Sequence, residues 1–106
     1  MNMVRTEIQK HFSELVIQAL SDESIKMAAP MTDFEVTVFA ATIDRLVTEE
    51  TLPETSELIV EPRRIITLLQ TANLPEDVAQ QARKTLRRFR EVIINLADEP
   101  EVKILN

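Results

Sequence analysis

Not one of the 106 residues is glycine, and no other feature of this chain narrows its fold so far. About seven would be expected at the usual ~7%. Glycine takes positive φ without a Cβ penalty and lets a backbone approach a ligand closely. The dinucleotide fingerprint, the phosphate-cradling P-loop, the nucleophile elbow and the calcium-binding loop therefore all lack a residue they need. Tight hairpins of types I′ and II′ favour glycine as well, which counts against a sheet-rich fold. The expected fold is all-α, a compact bundle of about four main helices with a short connector turn and an apolar C-terminal tail, forming one domain over residues 1–106.

A chain of this length can bury roughly 65% of its unfolded surface, enough for one core without a metal or disulfide staple. It has no cysteine, which removes disulfides, Cys-based zinc sites and thiolate catalysis. The opening MNMVRTEIQKHF lacks the apolar run of a signal peptide. No run approaches the ~20 apolar residues of a membrane span, so a cytoplasmic protein with no membrane partner is expected.

The longest helical pattern is PEDVAQQARKTLRRFREVIINLA, residues 75–97. Val78, Ala82, Leu86, Phe89, Ile93 and Leu96 recur at steps of three and four, so one helix face carries all six. Arg83, Lys84, Arg87, Arg88 and Arg90 fall on a second, basic face. Upstream, Val4, Ile8, Phe12, Leu15, Val16 and Ala19 predict a helix over 2–20. A short turn capped by Ser21 or Asp22 then carries Ile25, Met27 and Ala28.

Thr32–Asp33–Phe34–Glu35 is a capping box, with Met31 and Val36 placed to close a hydrophobic staple. Phe34, Val36 and Val38 alternate with Glu35 and Thr37, which is a strand period. The three-four pattern of Val36, Phe39, Ala40, Ile43 and Leu46 or Val47 runs past strand length and predicts a helix over 33–50. Residues 51–61 read as an acidic linker bringing Leu58, Ile59 and Val60 to the core. Pro62 suits the first position of a helix over 62–72 that buries Ile65, Leu68, Leu69 and Ala72, with Ile66 at the border. Asn73 suits a left-handed cap. After Ala97, the sequence DEP ends the long helix, and the tail carries Val102, Ile104 and Leu105.

The net charge of −6 is unevenly distributed. Residues 1–62 hold 4 basic and 12 acidic groups, residues 63–90 hold 7 and 2, and residues 91–106 hold 1 and 4. The positive block consists of Arg63, Arg64, Arg83, Lys84, Arg87, Arg88 and Arg90. Six of these seven are arginine, whose planar fork suits phosphate or carboxylate. They are the candidate site for nucleic acid or another anionic partner. The plainer alternative is a solvated face paired with Glu76, Asp77, Glu91 and the acidic linker. With no Trp or Tyr and only four Phe, nucleic acid would be held by backbone charge rather than base stacking.

Glu7, His11 and Glu14 share a helix face and resemble half of a metal site, but no second histidine exists, so no metal or cofactor is expected. Asp44 with Glu49 and Glu50, or Asp98 with Glu99 and Glu101, are solvated helix ends rather than acid/base pairs. Catalysis and a small-molecule substrate are not expected. Ile94 lies at a helical angle within the basic arc, and with Val102, Ile104 and Leu105 it is a candidate protein contact. The leading expectation is a small non-catalytic helical subunit or adaptor that binds a protein partner or its own copy within a larger assembly. The alternative is a subunit of a nucleoprotein complex, for example a CRISPR-type effector, touching nucleic-acid backbone through its arginines. A phage-encoded acidic inhibitor is a more remote reading by class-level analogy.

Overall fold

A computed structural model describes residue 14 and residues 16–97. These residues form helices and turns with no strand among them. The end of a first helix occupies 16–19 and closes with Leu20 N–H donating to Val16 O at 2.9 Å. Then follow α1 (Asp22–Met27), α2 (Asp33–Thr48), α3 (Glu57–Thr71) and α4 (Glu76–Ala97). The all-α expectation holds, with α4 as the central element touching each of the other three helices.

Local chemistry explains where these helices begin. Ser21 caps α1 by accepting from Ser24 N–H at 3.3 Å. Thr32 and Glu35 form the capping box of α2, Glu35 N–H to Thr32 Oγ1 at 3.2 Å and Thr32 N–H to Glu35 Oε1 at 3.1 Å. Each such cap is worth roughly 1 kcal/mol because it satisfies backbone donors that a helix start leaves orphaned. The strand period at 34–38 loses to this cap and to the burial of Val36, Phe39 and Ile43 on one helical stripe.

The core joins Met31, Val36, Phe39, Ile43, Ile59, Ile66, Leu86, Phe89 and Ile93, drawn from α2, α3, α4 and the connector before α2. Ile25 and Val92 are buried outside this cluster, and α1 packs on α4. At roughly 1.5–3 kcal/mol per fully buried large side chain, this core is the main term opposing chain entropy.

Two expectations are corrected in α3. The helix starts at Glu57 behind Ser56, whose Oγ accepts from Leu58 N–H at 3.2 Å, so Pro62 lies inside it and is fully buried. An interior proline removes one intrahelical bond and costs about 3 kcal/mol. Full burial of Ile59 and partial burial of Leu58 offset that cost. The stripe also turns: Ile66, expected at the border, is buried at 6% exposure, while Leu68 is 45% exposed and Ala72 lies outside the core.

A third correction concerns the left-handed cap. Ala72 is extended (φ −102°, ψ 146°), and Asn73 has no positive φ, consistent with an approach to Pro75 that favours extended backbone. Glu50 is the one described residue with positive φ, at 58°. It closes α2 as a Schellman turn, with Glu50 N–H donating to Val47 O at 3.1 Å and Thr51 N–H to Leu46 O at 2.9 Å. Glycine would serve that position best, and this chain has none.

Candidate functional site

The basic arc of α4 follows from spacing alone. Residues 83, 84, 87 and 88 fall at i, i+1, i+4 and i+5, so four long cationic side chains leave one strip of the helix. Each reaches a main-chain carbonyl between residues 19 and 31. Arg88 Nε donates to Ala19 O at 2.9 Å, Lys84 Nζ to Lys26 O at 3.3 Å, Arg87 Nε to Ala29 O at 3.2 Å and Arg83 Nη1 to Met31 O at 3.0 Å.

These acceptors are the carbonyls that most need a donor. Ala19 and Lys26 lie at the C-terminal ends of their helices, where carbonyls are orphaned and the helix dipole is negative. Ala29 and Met31 belong to a connector that leaves α1 extended, with Ala28 at φ −72° and ψ 146°, and has no neighbouring strand to pair with. Hydrogen bonds from charged donors contribute roughly 1.5–3 kcal/mol each. Met31 N–H in turn donates to Arg83 O at 3.2 Å, so Met31 is bonded to Arg83 through both of its backbone polar groups.

Carboxylates take further guanidinium donors. Arg83 Nη2 meets Asp33 Oδ1 at 2.5 Å, and Arg88 Nη1 meets Glu91 Oε2. Arg87 forks onto Glu35, Nη1 to Oε2 at 2.5 Å and Nη2 to Oε1 at 2.8 Å. The Arg87 hydrogen bond and then the Thr32 backbone N–H hold the Glu35 carboxyl well below its ordinary value of 4.5, at about 2. Side-chain exposure of Arg83, Arg87 and Arg88 is only 23%, 20% and 22%, so these guanidiniums face their own chain more than solvent.

Arg63 and Arg64 serve other partners. Arg63 bridges Asp44 at 3.0 Å and Glu54 at 3.6 Å, joining α3 to α2 and to the loop between them. Arg64 pairs with Glu61 at 3.5 Å and stays mostly exposed. Six of the seven basic positions therefore address two separate sets of acceptors. Lys84 and Arg90 have no carboxylate within 4 Å among the described residues.

Of the protein-contact candidates, Ile94 is partly exposed on α4, outside the buried stripe. Val102, Ile104 and Leu105 lie outside the described residues, as do Glu7 and His11, leaving Glu14 as the described member of that trio. Asp44 is taken by Arg63, Glu49 caps α2 and Glu50 makes its left-handed turn. Among the described residues no three His, Cys, Asp or Glu side chains gather as metal ligands. An open hollow of about 400 Å³ lies between the start of α2 and the first turns of α4. Its polar groups bond each other, Arg83 to Asp33 and Gln80 Nε2 to Glu76 Oε1 at 3.1 Å.

Sequence reasoning missed the outer face of α2. Phe34 is 77% exposed and Val38 nearly half exposed, one turn apart and opposite the buried Val36, Phe39 and Ile43. The signal was present in the alternation of 34, 36 and 38, since a helix sends 34 and 38 one way and 36 another. No described helix is long and apolar enough to cross a membrane. No family model, curated protein sequence or solved structure matches the chain.

Proposed function

We propose that this chain is a small non-catalytic helical subunit or adaptor that works by packing apolar helix faces onto a protein partner within a larger assembly. The observation that carries this reading is the inward commitment of the arginine strip. With Arg83, Arg87 and Arg88 bonded to the chain's own carbonyls and carboxylates, what the surface offers a partner is exposed apolar side chains such as Phe34, Val38 and Ile94. Charged groups that hold a fold together are poor candidates for exchange with an outside anion, because exchange at Arg83 or Arg88 would leave a part-buried carbonyl without that donor, and exchange at Arg87 would break its part-buried fork on Glu35.

The test is the mass of the native assembly purified from its source, measured by light scattering. Replacement of Ile94 by Asp and deletion of residues 101–106 should each lower that mass. An unchanged mass in both variants overturns the contact assignment.

A second reading, contact with nucleic-acid backbone, draws on Lys84 and Arg90, the two cations of the arc without a carboxylate partner among the described residues. It requires wild type to be retained on single- or double-stranded nucleic acid at low salt, and the double variant K84A/R90A to lose that retention. Absence of retention in wild type removes this reading.

A further inference from the structure

We infer that the outer face of α2 is a self-complementary docking surface whose occupant is α2 of a second copy of this chain, packed antiparallel. The inference rests on the protein-contact reading above and names the surface and the partner. Phe34, Val38, Ala41 and Arg45 form one exposed strip of α2, at steps of four, three and four. That spacing reads the same in both directions. About a two-fold axis between residues 39 and 40, Phe34 meets Arg45 of the second copy, and Val38 meets Ala41. Each of these contacts occurs twice, as an isologous interface requires.

The side chains suit these pairings. Arg45 is exposed and has no carboxylate within 4 Å among the described residues. Across the axis it meets the face of Phe34, an aromatic ring that attracts a guanidinium at about 6 Å or less. Ala41 opposite Val38 gives the close approach that a pair of helices needs at its centre.

Polar groups along the strip make little demand on water. The hydroxyls of Thr37, Thr42 and Thr48 donate to the carbonyls of Asp33, Val38 and Asp44 at 3.1, 3.0 and 2.8 Å, so their protons are already satisfied inside the helix. One helix pair buries less than the ~1,600 Å² of a standard interface, and a weak dimer with a dissociation constant of roughly 100 μM is expected.

The experiment is sedimentation velocity on the full chain from about 10 μM to about 1 mM, a range that brackets such affinities. Wild-type mass should climb from 12.1 kDa toward twice that value. Phe34→Lys places two like charges across the axis and should weaken the dimer at least tenfold. The double variant F34K/R45E restores opposite charges at both ends and should return the dissociation constant to within about threefold of wild type. Phe34 is largely solvent-exposed, so superimposable thermal melts are expected for all three proteins. A monomer throughout, a dimer that F34K leaves intact, or a double variant without rescue each overturns this surface. The assembly-mass test with Ile94 and residues 101–106 stands apart from all three outcomes, so failure here is distinguishable from failure of the proposed function.

Discussion

Arg87 holds both carboxylate oxygens of Glu35, and Oε1 of that same carboxylate accepts the Thr32 N–H that closes the capping box. One ionised group therefore starts α2 and fastens it to α4. Because folding lowers the Glu35 pKa from 4.5 to about 2, its contribution to stability is fully present above pH 4.5 and is lost as pH falls toward 2. Urea titrations from pH 7 to pH 2 should show that decline in wild type. Glu35→Gln should be less stable at pH 7 and lose less on acidification, with the two stability curves converging near pH 2. Parallel curves would mean the carboxylate is not coupled to folding.

Ala19 O accepts from Ser24 Oγ at 2.5 Å and from Arg88 Nε at 2.9 Å. Arg88→Met keeps the apolar stem and removes the donors. It should cost roughly 1.5–3 kcal/mol, the range for a hydrogen bond from a charged group. The loss should be local: amide exchange should quicken over residues 20–28 and remain unchanged in α2 and α3. Uniform acceleration across the chain would show that this bond supports the whole fold instead of one joint.

Glu50 occupies a conformation that penalises any Cβ, with φ at 58°. Glu50→Gly should stabilise the protein by about 1 kcal/mol, raising Tm by roughly 4–8 °C for a domain of this size. Glu50→Ala removes the charge but keeps the Cβ, so it should give no comparable gain. Equal gains in calorimetry would point to charge, not backbone.

The register of α3 is tested by a pair of alanine substitutions. Ile66→Ala should cost about 2–5 kcal/mol because the side chain is enclosed in the core. Leu68→Ala should change stability by no more than about 0.5 kcal/mol. The reverse order in chemical denaturation would restore the register that the sequence pattern suggests.

The contrast between α2 and α3 shows which parts of this fold are written locally. Thr32 and Glu35 satisfy each other within four residues, so the start of α2 can be read from a tetrapeptide. The same holds for the long period of α4. Pro62 misleads because the gain that offsets it, burial of Ile59 against the other helices, depends on neighbours distant in sequence. The basic strip was legible as a strip, but not its engagement. Apart from Glu91, which stands three residues from Arg88 and is named by the sequence alone, its acceptors lie 50 to 69 residues away along the chain, a pairing fixed by the packing of α1 and the connector on α4. Glu50 had no signal at all, since nothing in an acidic side chain marks a left-handed turn.

Met31 and Met27 differ in a way that outlasts any single contact. The thioether of Met31 is 1% exposed in a stretch without helix, latched to Arg83 on either side of its Cα, whereas Met27 four residues earlier is 82% exposed. Peroxide should convert Met27 to its sulfoxide at the pace of a free amino acid and reach Met31 only when the latch lets go. The ratio of the two oxidation rates, read by mass spectrometry, would then serve as a clock for how often this joint springs open in the native protein.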